Sequence, residues 1–135
     1  MLNSIRIALM THNQELLTDA RKLALTEGHT VDALPPDAPE PEAGHFDGII
    51  ADLPRAARYA LARQMFLDKL AKIAKRFPVL VLDRGLSYPE AAFLRAAGIR
   101  WLPSLRLQAF GVLLSHPLAQ AAPRNEPELL VANEE

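Results

Sequence analysis

Five short apolar runs alternate with helix-patterned segments along the chain, and that alternation restricts the fold more than any other feature. The first run, Ile5, Ile7, Ala8, Leu9 and Met10, is too short for a helix and ends at Thr11, His12 and Asn13. Asn13 suits a helix N-cap, Leu16, Ala20, Leu23 and Ala24 follow at three- and four-residue spacing, and Gly28 suits the residue after a helix end. Thr30 to Leu34 reads as a second strand, and Phe46 to Ala51, with Asp52 at its end, as a third. A long helical pattern runs from Arg55 to Phe77 and stops at Pro78. Val79, Leu80, Val81 and Leu82 are continuously apolar, as in a central parallel strand covered on both faces. Ser87, Tyr88, Pro89 and Glu90 have the spacing of a capping box with proline in the first turn, and Gly98 closes the helix they open. Trp101 and Leu102 centre a fifth strand, Ser104 is a candidate cap, and Leu105 to Ala119 is helical in pattern with Leu107, Phe110, Leu113 and Leu114 apolar, ending or kinked at Pro117.

Parallel strands need crossover connections, which are almost always right-handed, so this order predicts an α/β three-layer sandwich on a five-stranded parallel sheet. One connection departs from the pattern. Residues 35 to 42 hold Pro35, Pro36, Pro39 and Pro41, which remove backbone donors too often for a helix of normal length. The expected extents are one domain over 1–122 and a flexible tail or linker over 123–135.

At 135 residues, half of them hydrophobic, the chain is long enough for one real core. No apolar stretch approaches the ~18 residues of a membrane span, and Arg6 interrupts the N-terminal run, so a cytoplasmic protein with no membrane partner is expected. The absence of cysteine excludes disulfides, thiolate metal sites and a cysteine nucleophile. A net charge of −1 removes any overall electrostatic drive toward nucleic acid.

Three segments resemble response-regulator receiver domains, the CheY-like members of the flavodoxin-like fold: RIALMTHNQE (Arg6 to Glu15), FDGIIAD (Phe46 to Asp52) and AGIRWLPSL (Ala97 to Leu105). The interval from Asp52 to Asp83 also fits. The resemblance implies that Asp52 stands at the phospho-acceptor position. It further implies that Thr11 and His12 replace an acidic metal-binding pair, Asp83 a hydroxyl residue and Ser104 a lysine. A degenerate, or pseudo-, receiver follows, with no cofactor, no enzymatic activity and an output independent of phosphorylation. The helix between the second and third strands is missing or reduced to the proline-rich loop, leaving apolar sheet surface for a partner or another segment. The surface of the last two helices and the fifth strand commonly mediates dimerisation in this family, and Tyr88, Phe93, Trp101, Leu105 and Phe110 fall there. A protein partner or homodimer is therefore expected, with room for a downstream output domain acting on transcription.

A reading from another class takes Asp52, Asp83 and His12 as a metal or small-anion site at the carboxyl edge of the sheet, where open parallel sheets bind ligands. Against it, both aspartates serve equally as strand-end residues and His12 as an exposed side chain. His29, His45 and His116 read as surface residues. Arg55, Arg58, Arg63, Lys69, Lys72, Lys75 and Arg76 make the long helix basic, and Arg58, Lys69, Lys72 and Arg76 stand near one helical line, which is first a solvated outer face. Without aromatic interleaving or a known motif, direct nucleic-acid binding is not expected. The acidic residues Asp32, Asp37, Glu40, Glu42 and Asp47 can neutralise that helix within a protomer or across a dimer. No glycine-rich phosphate loop, serine-nucleophile motif or HExxH supports catalysis.

Overall fold

A computed structural model describes residues 4–42, 44–54, 60–106 and 108–114 of the chain. Its elements are β1 (Arg6–Met10), α1 (Gln14–Thr26), β2 (Thr30–Leu34), β3 (Gly48–Asp52), α2 (Ala60–Ile73), β4 (Val79–Leu82), α3 (Tyr88–Ala96), β5 (Arg100–Leu102) and α4 (Gln108–Leu114). All strand pairs are parallel, in the order β2-β1-β3-β4-β5. The expected five-stranded sandwich is therefore the observed one. Residues 55–59, Leu107 and 115–135, including the expected tail and Pro117, lie outside the described residues.

Local chemistry sets the helix ends. The Asn13 side chain accepts from the N–H groups of Glu15 and Leu16, occupying two donors that a helix start leaves without partners. Ser87 and Glu90 form the reciprocal capping box that their spacing predicts. Gly28 and Gly98, each at φ 76°, turn the chain out of α1 and α3 through a conformation that side-chain-bearing residues adopt at a cost. Ser104 is not the cap of α4, which starts four residues later among the described residues.

Strand alternation divides the core between the two faces. Ile7, Leu9, Ile50, Leu80 and Leu82 pack with Leu17, Ala20 and Ala24 of α1 and with Ala109, Phe110 and Leu113 of α4. Ala8, Met10, Ile49, Ala51, Val79 and Val81 pack with Phe66, Leu67, Leu70 and Ile73 of α2 and with Leu94 of α3. His29 belongs inside this frame rather than on the surface expected for it. It is buried, accepts the Ile5 N–H at its Nδ1 (3.2 Å) and lies edge-on to Phe110.

No helix joins β2 to β3 among the described residues, and the proline-rich segment takes its place. The uncovered apolar face expected beside β2 does not arise. On the α2 side β2 presents Thr30, Asp32 and Leu34; Arg6 of β1 pairs with Asp32 at 3.0 Å, and Leu34 packs on the core. Where a helix would lie, the strands carry polar side chains. The loop itself is fastened to α2 and to the turn that follows it. Lys69 Nζ donates to the carbonyls of Pro36 (2.8 Å) and Ala38, Arg76 pairs with Glu40 and donates to the Pro41 carbonyl (3.2 Å), and Pro41 is buried. The acidic loop and the basic helix thus neutralise each other within one chain at Arg76 and Glu40. Lys69 is held on loop carbonyls instead of lying free on a solvated face.

Candidate functional site at the carboxyl edge of the sheet

Chain connection reverses direction across the sheet between β1 and β3, the position at which open parallel sheets form a crevice beyond their carboxyl ends. Asp52 is the last residue of β3, Thr11 the first after β1, Asp83 the first after β4, and Ser104 the second after β5. Thr11 is buried; its Oγ1 donates to Asp52 Oδ2 at 2.7 Å and accepts the Asn13 N–H at 3.0 Å. One hydroxyl thereby links the acidic strand end to the start of α1. Asp52 is half-buried, and burial raises its pKa above the ordinary carboxylate value; the Thr11 hydrogen bond opposes the rise and the charge of Asp83 adds to it.

Arg63 is the site residue that the sequence did not single out. Counted only among the basic residues of the long helix, it is 3% exposed and reaches inward from α2 to Asp83 and Glu90. Its Nη1 and Nη2 meet Asp83 Oδ1 and Oδ2 at 3.1 and 2.9 Å, and its Nε and Nη2 meet Glu90 Oε2 and Oε1 at 2.7 and 3.0 Å. Glu90 is correspondingly held down at about 2, first by the Arg63 hydrogen bonds and further by those from Ser87. A signal was available in the spacing. Arg63 precedes Phe66, Leu67 and Leu70 by three, four and seven residues, which puts it on the buried stripe of α2. Asp83, expected as an unopposed second negative charge, therefore has a cation in bidentate contact.

The other candidates divide. His12 is exposed at the rim, beside Thr11 and Asp52, in an open groove of about 1100 Å³ lined also by Pro36, Phe66 and Lys69. Half-buried Ser104 lines a second recess of about 500 Å³ together with Asp52, Arg63, Asp83 and Arg84. Of the residues expected at an interface, Tyr88 is 86% exposed, while Phe110 is buried in the core. Phe93, Trp101 and Leu105 are half-buried, packing on the two core clusters, and Arg95 lies over the Trp101 ring.

The fold is similar to those of solved receiver domains. A response regulator receiver protein from Pseudoalteromonas atlantica matches with 15% identity over 81% of this chain and 96% of that one, at a TM-score of 0.64. The Vibrio cholerae chemotaxis protein CheY4 matches with 15% identity over 83% and 97%, at 0.58. The receiver domain of the Pseudomonas aeruginosa sensor histidine kinase PA1611, which has a magnesium ion coordinated in its active-site cleft, matches with 14% identity over 84% and 98%, at 0.54. No protein-family model and no curated protein matches the chain. At these identities the likeness establishes the fold, and the chain has the CheY-like receiver fold.

The carboxyl edge does not fit a magnesium ion. Hard-cation sites need several free oxygen ligands, carboxylates above all. Here Thr11 is neutral and donates to Asp52, and both oxygens of Asp83 accept from Arg63. Among the described residues no group of three or more His, Asp or Glu is placed to hold a metal.

Proposed function

We infer that the chain is a pseudo-receiver: a signalling module of the two-component type whose output is protein association and does not depend on phosphorylation of Asp52. It is neither an enzyme nor a cofactor carrier, and it works in the cytoplasm on a protein partner, a second copy or a downstream output domain that regulates transcription. The observation that carries this reading is the environment of Asp52. Its carboxylate is half-buried and bonded to the Thr11 hydroxyl where the resemblance would put acidic metal ligands, and Ser104 stands at the lysine position. Phosphoryl transfer to a carboxylate needs a cation at the developing charge. Arg63 does not meet that need at Asp52, because its donors are engaged by Asp83, Glu90 and the Pro54 carbonyl.

The test is incubation with a small acyl phosphodonor and magnesium, followed by intact-mass measurement and light scattering. Unchanged mass and oligomeric state are expected. A phosphoryl group on Asp52 overturns the reading. A small-ligand sensor is the second reading, favoured by the open groove beside Asp52; a ligand that protects Thr11 and Asp52 in amide exchange without any protein partner would promote it.

A further inference from the structure

An arginine side chain has five N–H donors in a rigid planar fork. All five donors of Arg63 are used: Nε on Glu90, Nη1 on Asp83 and on the Pro54 carbonyl (2.7 Å), Nη2 on Asp83 and Glu90. The acceptors are engaged a second time. Asp83 Oδ2 also takes the Gly85 N–H at 3.0 Å, and Glu90 Oε1 also takes the Ser87 N–H at 2.9 Å. One guanidinium thus ties α2 to the end of β3, to the start of the β4–α3 connection and to the capping box that opens α3.

We propose that Arg63 is the resident cation of this edge: a guanidinium tethered to α2 that neutralises Asp83 and Glu90 in place of a divalent metal ion and fixes the segment from Asp83 to Glu90 without one. The inference rests on the pseudo-receiver reading only for the contrast with a receiver that holds magnesium in its cleft; the geometry belongs to this chain. A metal ion would have to displace Arg63 from both carboxylates, leaving a buried cation without a counter-charge, which is strongly unfavourable. Lysine would not substitute fully, because an ammonium point charge lacks the fork that engages two carboxylates and a carbonyl together. The proposal differs from an ordinary structural ion pair in one respect: removing the guanidinium should create affinity for a divalent cation.

Paramagnetic Mn²⁺ is the probe, read by NMR on the wild type, Arg63→Met and Arg63→Lys. In the wild type the amide signals of Asp52 and of Asp83 to Gly85 stay unbroadened. In Arg63→Met they broaden saturably, and Mn²⁺ raises its melting temperature. Arg63→Lys keeps the charge, stays refractory to Mn²⁺ and melts below the wild type. Site-specific broadening at the wild-type edge overturns the proposal, as does a folded Arg63→Met that gains no Mn²⁺ affinity. If Arg63→Met is unfolded without metal, circular dichroism makes the same distinction: Mn²⁺ restores the fold if the proposal holds and fails to if it is wrong. Manganese bound to the wild type with Asp52 still refractory to phosphodonors overturns this inference alone and leaves the signalling reading intact.

Discussion

Asp52 and Glu90 are carboxylates whose surroundings push in opposite directions, so acid acts on them with opposite sign. Burial raises the Asp52 pKa above the ordinary aspartate value, which makes its charge a burden on the folded state near neutral pH. Asp52→Asn, close in shape and still able to accept from Thr11, is therefore expected to stabilise the protein by up to about 1 kcal/mol at pH 7. The gain should vanish below the unfolded pKa, where the wild-type carboxyl is neutral in both states; urea titrations at pH 7 and pH 3 check both. Glu90 is lowered from 4.5 to about 2, so its contribution is complete above the unfolded value and is lost as pH falls through the folded one. Acid unfolding between those values should accordingly be blunted in Glu90→Gln, which is less stable at neutral pH. Arg63→Met, stranding Asp83 and Glu90 in a partly buried site, should lose about 3 kcal/mol at pH 7 by urea denaturation. The position of Asp52 was legible in the sequence because it ends an apolar run. The inward course of Arg63 was not, because charge alone assigns an arginine to solvent and only its spacing from Phe66 and Leu67 says otherwise. His29 was misread for another reason, its burial resting on contacts with Ile5 and Phe110 that are remote in sequence.

Elements with a local signature were the most legible. β2 and β4 run as their apolar patterns predict, and α3 opens at the capping box written in Ser87 to Glu90. Ser87→Ala removes the acceptor of the Glu90 N–H and should cost about 1 kcal/mol, read as a lower midpoint in thermal melting. The start of α4 was less legible, since Ser104 has a capping residue's chemistry while the chain after β5 first runs through Pro103 to Arg106. The proline loop was read correctly as a loop, but its fastening to Lys69 and Arg76 joins residues more than thirty positions apart and leaves no local trace. Gly48 is a contact of the same non-local kind. A Cβ there would stand 2.6 Å from Leu113 Cδ2, so the Leu113 side chain of α4 fills the space that a side chain at this position of β3 would need. Gly48→Ala should destabilise by about 1 to 3 kcal/mol, and trimming the opposing side chain in Gly48→Ala/Leu113→Ala should cost less than the sum of the two single changes, as a double-mutant cycle would measure.

For the molecule as a whole, the question is which surface remains for a partner once the fold has used its apolar residues. The sheet face beside β2 is not that surface, because Thr30, Asp32 and Arg6 make it polar. Phe110 is no interface anchor either, being 2% exposed on the core side of α4. Tyr88 is different: it stands at the first position of α3, and its ring makes no contribution to either core cluster. An exposed tyrosine on α3, the helix that also carries the half-buried Phe93, has the character of an interface residue, since aromatic rings bury large area with little loss of rotamer freedom. Association through the α3 and β5 surface therefore predicts a separation of effects. Tyr88→Ala should leave the melting temperature nearly unchanged, as a surface substitution within about 0.5 kcal/mol, yet weaken self-association or partner binding in sedimentation or titration. Phe110→Ala should do the reverse, losing about 3 to 5 kcal/mol of stability through the cavity it opens beside His29 while leaving the association of the remaining folded protein intact. If Tyr88→Ala binds as tightly as the wild type, this surface is not the one used, and the exposed pair Leu61 and Met65, one turn apart on α2, becomes the next face to substitute.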